Sequence, residues 1–269
     1  MAALSQPVPE RRATFALAWH EFRYHLTRYR RTWRGTFVIS VVNPLLFLVA
    51  IGIGLGKVAD PHPAGLGGVS YLAFFAPGML AAAAMQNGIV VSSFPVAFSV
   101  TRGGSYRVAV TTPLAPSDIL LGHALYMAQQ VAMSAATFLV VMVAFGAAAS
   151  PLVVLTVPVA ALIGMAFAMP TAAWAITLSN PRTVSTLFKW VVMPLYLFSG
   201  TFFPVSHMPF VLRLLAYVTP LWHGVELCRR LSLGTASWAA ALTHVAYLLA
   251  LATIGFVVAT RNYRRRLHV

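Results

Sequence analysis

The sequence predicts an all-α membrane protein: six transmembrane helices, an N-terminal interfacial amphipathic helix, and an outer re-entrant hairpin between spans five and six. Three observations carry this prediction. Of 269 residues, 59% are hydrophobic and 9% charged, whereas a soluble domain averages about 25% charged. The apolar residues gather into runs close to the roughly 20 residues that a bilayer-crossing helix needs. The charge is lopsided, with 19 Lys and Arg against 5 Asp and Glu. These bases sit beside the apolar runs, which fits a membrane topology better than a nucleic-acid surface. The 12% aromatic content, with 18 Gly and 17 Pro, excludes coiled-coil, collagen-like and disordered classes.

The elements follow in order. Phe15, Trp19, Phe22, Leu26, Tyr29 and Trp33 recur every three or four residues, while Arg23, Arg30, Arg31 and Arg34 project elsewhere. This pattern predicts an interfacial helix over 13–34, serving either as a positive-inside anchor or also as a contact for a cytoplasmic partner. The first span is 37–55; it starts behind seven arginines with no small-x-small cleavage site after it, so it is expected to be retained. After the glycine loop at 65–68 comes a second span, 71–98, carrying Gln86 and Asn87. No charged residue occurs from 119 to 181, too long for one helix, and Gly146 with Ser150-Pro151 offers the turn. Spans three and four are therefore 119–145 and 152–178, the former capped by Pro116 and Ser117-Asp118. Spans five and six are 183–203 and 237–260.

Both termini are rich in arginine, so both are expected on the cytoplasmic side, which requires an even number of spans. That orientation also places Arg102, Arg107, Arg182 and Lys189 inside, making fifteen of the 19 bases cytoplasmic. Four spans with two dipping runs would keep the same parity. The outer connection 204–233 is too apolar to lie in water, and prolines at 204, 209 and 220 divide it. It reads as a re-entrant hairpin buried in protein.

Chemistry within the chain is sparse. Cys228 is the single cysteine, which excludes an intrachain disulfide or a cysteine-rich metal site. The eight histidines lack metal-ligand spacing, and the acids Glu10, Glu21, Asp60, Asp118 and Glu226 are scattered. Gly52–Val58 imitates a phosphate loop but has one residue too few and lacks its Ser or Thr. Gly52 and Gly56 instead form a helix-packing pair. Polar residues within spans, namely Asn43, Gln86, Asn87 and Lys189, are candidates for a substrate pathway, against interhelical hydrogen bonding or, for Lys189, snorkelling to the headgroups.

Two segments suggest mechanism. The stretch 101–121, TRGGSYRVAVTTPLAPSDILL, contains a short apolar and basic helix stopped near Thr112-Pro113, either a topogenic loop or a docking helix for a soluble protein. The stretch 195–230 contains LFSGTFFP at 197–204, Met208-Pro209, and PLWHGVELCR at 220–229. In order and spacing these resemble the ABC-2 type export permeases, especially the branch exporting nodulation-type lipo-oligosaccharides and its drug-exporting relatives. TTPLAPSDILLG at 111–122 resembles the segment following that family's coupling helix, so the resemblance covers essentially the whole chain as one domain, 1–269. The chain departs from the pattern at Thr201, where a small aliphatic residue is usual. It departs again at Thr101-Arg102-Gly103-Gly104, where acids usually precede the glycine.

The resemblance implies a membrane subunit without its own ATP site, forming a homodimer over two copies of an ABC ATPase that bind ATP and Mg. The coupling segment, 101–113, would contact the ATPase through Arg102, Tyr106, Arg107, Thr112 and Pro113. Pro220, His223, Glu226 and Arg229 would form an outer gate, unless they only lock the hairpin. Spans one, two and five would line the path of an amphipathic substrate among membrane lipids. The rival classes are an ion-coupled secondary transporter, which the absence of Asp and Glu from the spans disfavours, a lipid-modifying membrane enzyme, and an immunity or assembly factor of the same fold.

Overall fold

The computed structural model describes residues 15–50, 69–101 and 104–267, with the backbone alone for 32–44 and 47. Among these residues all regular structure is helical. Helix α1 is Phe15–Val49, α2 is Tyr71–Ser99, α3 is the short Ser105–Ala109 and α4 is Pro116–Ala144. A 3-10 turn, Pro151–Leu155, leads into α5, Thr156–Ala175. Then come α6, Val184–Leu187, and α7, Met193–Phe198, followed by α8, Phe210–Val218, α9, Pro220–Leu233, and α10, Trp238–Leu267.

Four of these are long and apolar enough to cross a membrane: α2, α4, the Pro151–Ala175 run, and α10. They coincide with predicted spans two, three, four and six. Asp118, at the third helical position of α4, accepts a hydrogen bond from the Ala115 backbone N–H at 3.0 Å, so one of the orphan donors at that helix start is satisfied.

Two expectations change. The interfacial helix 13–34 and the first span are not separated, because α1 runs unbroken from Phe15 to Val49. The rest of that span, the Gly52/Gly56 pair and the 65–68 loop lie outside the described residues. The fifth span is helical from 181 to 198 but not uniformly α. Between α6 and α7 lies a π-helical stretch, Phe188–Val192, closed by a bond from the Met193 N–H to the Phe188 carbonyl. Pro194 follows immediately and has no N–H for an α-helical bond, so the ladder widens ahead of it.

The core has two parts. Toward one end, Phe75, Met85, Phe138, Ile163, Leu221 and Cys228 join α2, α4, α5 and α9. Toward the other, Val96, Tyr106, Ile119, Met127, Met169 and Tyr263 join α2, α3, α4, α5 and α10. Helices α2 and α5 cross so closely at Gly88 that a Cβ there would lie 2.4 Å from the Gly164 carbonyl oxygen. Without hydrocarbon–water contrast to drive helices together, such close small-residue packing is what holds a membrane bundle.

Helices α8 and α9 meet at Thr219. Tyr247 donates to the Val218 carbonyl at 2.6 Å, and Gly224 packs on Ile163. At about 1.5 Å per residue, these contacts lie roughly 10 to 14 Å down α5 and α10 from their starts. At the other end of α9, Ser232 bonds the Ala147 carbonyl at 3.3 Å, beside the α4–α5 connection.

Candidate functional site

The proposed coupling segment begins where α2 ends. Thr101 Oγ1 donates to the Phe98 carbonyl at 2.7 Å, the chain turns back, and Arg107 Nε donates to the Val100 carbonyl at 2.9 Å. Thr111 and Thr112 hydroxyls donate to the Val108 and Ala109 carbonyls at 2.7 and 2.6 Å, adding to the backbone N–H bonds of the same residues that close the end of α3. Arg107, Val108, Thr112 and Pro113 are exposed, and Val108 is 59% so despite being apolar. Arg102 lies outside the described residues. Tyr106 differs from the other proposed contacts: it is fully buried and points into the bundle, away from any soluble partner.

Its hydroxyl meets Nδ1 of His123 on α4 and accepts from the Tyr263 hydroxyl on α10 at 3.4 Å. The ring of His123 stacks on that of His25 on α1, with centroids 4.4 Å apart and planes at 8°. His25 Nε2 is 3.3 Å from Glu21 Oε1, one turn earlier. Tyr126 neighbours both rings, its centroid 5.1 Å from that of His25 and 6.1 Å from that of His123, and accepts from Gln130 Nε2 at 2.8 Å. Burial, and after it the adjacent Tyr263, push the Tyr106 phenol well above its ordinary range, so it stays a neutral hydroxyl.

Sequence reasoning missed this cluster. The aromatic stripe of α1 overlaps the buried face only in part: Tyr29 is buried and Phe22 and Leu26 half-buried, but Phe15 and Trp19 are 68% and 46% exposed, and Ala18, Glu21 and His25 complete the buried face. Helix α1 packs that face on α4, and a Cβ on Gly122 would lie 2.5 Å from the Ala18 carbonyl oxygen. One signal was present, since His123 is the sole histidine in the uncharged stretch 119–181.

At the opposite end, all four proposed gate residues lie on α9. Pro220 is its first residue, and Thr219 caps it by accepting from the Trp222 N–H at 3.3 Å. Arg229 donates to the carbonyls of Phe74 at 3.2 Å and Gly200 at 2.8 Å, with its guanidinium 3.8 Å from the Phe74 ring centroid. It thereby joins α9 to the first turn of α2 and to the connection after α7. Glu226 pairs with Arg230 at 2.7 Å and Arg229 at 3.6 Å, the helical-turn pairing that their spacing allows. His223 faces α10 instead, with Nδ1 2.8 Å from that of His244 and its ring stacked on Tyr247 at 4.0 Å.

Gln86 and Lys189 are exposed, Asn87 is half-buried, and the side chain of Asn43 lies outside the described residues. Gln86 heads a stripe of exposed residues on α2, continued by Val90, Phe94 and Phe98. The 181–198 run flanks it, with Phe188 stacked on Phe94 at 6.3 Å and Trp190 and Met193 77% and 62% exposed.

The family described as ABC-2 type transporter matches residues 12–233. Nodulation protein J of Rhizobium leguminosarum bv. trifolii is 32% identical over 248 residues, covering 91% of this chain and 92% of that protein. Nodulation protein J of Sinorhizobium fredii (strain NBRC 101917 / NGR234) is 28% identical, covering 87% and 89%. That of Rhizobium meliloti (strain 1021) is 26% identical, covering 91% and 92%.

Proposed function

The chain belongs to the ABC-2 type transporter family, and from that premise we propose that it exports an amphipathic substrate as half of a homodimeric permease. It is a multi-pass bacterial inner-membrane subunit of an ABC transporter, and ATP hydrolysis resides in a separate ABC ATPase chain. In the proposed assembly, two ATPase copies bind ATP and Mg beneath two copies of one domain spanning 1–269. The substrate class is a lipid-linked oligosaccharide, a lipid or a hydrophobic drug, leaving the cytoplasm or inner leaflet.

The observation that carries this reading is the exposed stripe Gln86, Val90, Phe94 and Phe98 on α2. Helix α2 is otherwise the most buried of the four long apolar helices. An amphipathic path calls for an apolar wall with a few polar positions, and a second copy facing this stripe would close it from lipid. Six spans with both termini cytoplasmic fit the arginine distribution, with α1 and the 181–198 run supplying the two spans beyond the four. A re-entrant 204–233 hairpin is supported by contacts partway along the long helices, where Tyr247 of α10 bonds the Val218 carbonyl beside the Thr219 turn and Gly224 packs on Ile163 of α5. On this reading α9 is the outer gate and the exposed face of α3 is the ATPase contact.

The test is co-expression of tagged chain with its ATPase, followed by assay of ATP-driven accumulation of a fluorescent N-acylated oligosaccharide in inside-out vesicles. The expected result is a stable complex whose transport stops when ATP hydrolysis is blocked. Failure of any ATPase to copurify, in detergent or nanodisc, would overturn the proposal. Transport that ignores ATP and collapses with the proton gradient would favour an ion-coupled carrier instead.

A further inference from the structure

Helix α3 has five residues, of which Arg107 and Val108 are exposed and Ser105 and Ala109 half-buried. A helix this short has no stability of its own, so its position is set by what anchors it. Tyr106 is its single fully buried side chain. The hydroxyl of Tyr106 is where α4 and α10 converge, through His123 and Tyr263. His123 extends the contact to α1 through the His25 stack and the adjacent Glu21. Apolar side chains of α2, α4 and α5, including Val96, Val100, Ile119, Met127 and Ile176, surround the cluster.

Polar groups enclosed this way cannot exchange partners with water, and a broken bond leaves a donor or acceptor unsatisfied. An apolar anchor of the same size could slide over its neighbours; a hydrogen-bonded one fixes angle and register. The cluster thus joins four elements that are distant in sequence, directly behind the exposed face of α3.

We propose that Tyr106, His123 and Tyr263, backed by His25 and Glu21, are positioning residues that make α3 move as one piece with α1, α4 and α10. A displacement imposed on α3 by the ATPase is then carried to the far end of the bundle instead of being absorbed as a local tilt. This rests on the ABC permease reading above and adds the residues through which coupling passes.

The experiment uses the permease–ATPase complex in nanodiscs, with a spin label at Phe210→Cys in each copy to report the distance between the outer ends. Wild type is expected to copurify with ATPase and change that distance when ATP and vanadate trap the closed ATPase. Y106F keeps the ring and removes the hydroxyl. It is expected to retain copurification and ATP hydrolysis within twofold while the distance change falls at least fivefold. His123→Leu should behave alike, whereas His123→Asn, which keeps an acceptor where Nδ1 lies, should restore most of the response. Tyr263→Phe, which removes the donor to Tyr106, decides the matter if Y106F or His123→Leu lowers Tm or yield.

A wild-type response in the folded hydroxyl and imidazole variants overturns the proposal. So does loss of ATPase binding in them, which would make the cluster a docking scaffold and not a transmitter. Failure of wild type itself to bind ATPase or to respond would instead sink the ABC reading.

Discussion

Arg229 shows how much one side chain can hold in a membrane bundle. Its two backbone acceptors lie on different elements, and the Phe74 ring lies against its guanidinium. Arg229→Ala removes these contacts and leaves the Gly200 carbonyl, which lies outside a helix, in need of a donor. We expect a loss of about 2–3 kcal/mol, read as a lower Tm of purified protein. Arg229→Lys should recover less than half, because an ammonium lacks the fork that reaches both carbonyls. Gly122 makes a second prediction at this scale. Any larger residue there must part α1 from α4, so Gly122→Val should cost about 1–3 kcal/mol and weaken ATPase copurification.

At the scale of elements, α3 makes the sharpest prediction. Val108 is an exposed apolar residue on the face proposed to meet the ATPase, and nothing internal depends on it. Val108→Asp should reduce copurified ATPase at least tenfold while Tm shifts by less than about 2 °C, since surface changes seldom alter stability by more than about 0.5 kcal/mol. Element positions were largely legible: Tyr71, Ser150-Pro151 and Ser237 mark the starts of α2, the 151–175 run and α10 to within a residue or two. Length and apolarity sufficed because a bilayer imposes both. Facing was less legible. In lipid an exposed Phe15 or Trp19 carries no penalty, so the apolar stripe of α1 identified its buried side only in part. Nor does local periodicity reveal that the Glu21–His25 pair meets residues 106, 123 and 263, because these sit on four different helices and the bundle alone assembles them. The π-helical stretch was likewise hidden, Pro194 being its only sequence mark.

For the whole molecule, the proposed homodimer is tested by proximity. Val90 on α2 and Leu249 on α10 are 44% and 53% exposed in the single chain. A short bis-maleimide should cross-link two copies carrying Val90→Cys and leave copies carrying Leu249→Cys unlinked, as resolved by gel. Background is minimal because Cys228, the native thiol, is buried. Equal linkage at both positions would place the contact between copies elsewhere. Finally, the Gly88–Gly164 crossing has a mechanical consequence. Val131 of α4 also presses on Gly164, so three helices are meshed at one point with no side chain between two of the backbones. They cannot slide past one another without first being prised apart. The chain therefore has a keel, and compliance is left to the segments around it: the unevenly wound 181–198 run and, in the proposed homodimer, the seam where one keel would face another.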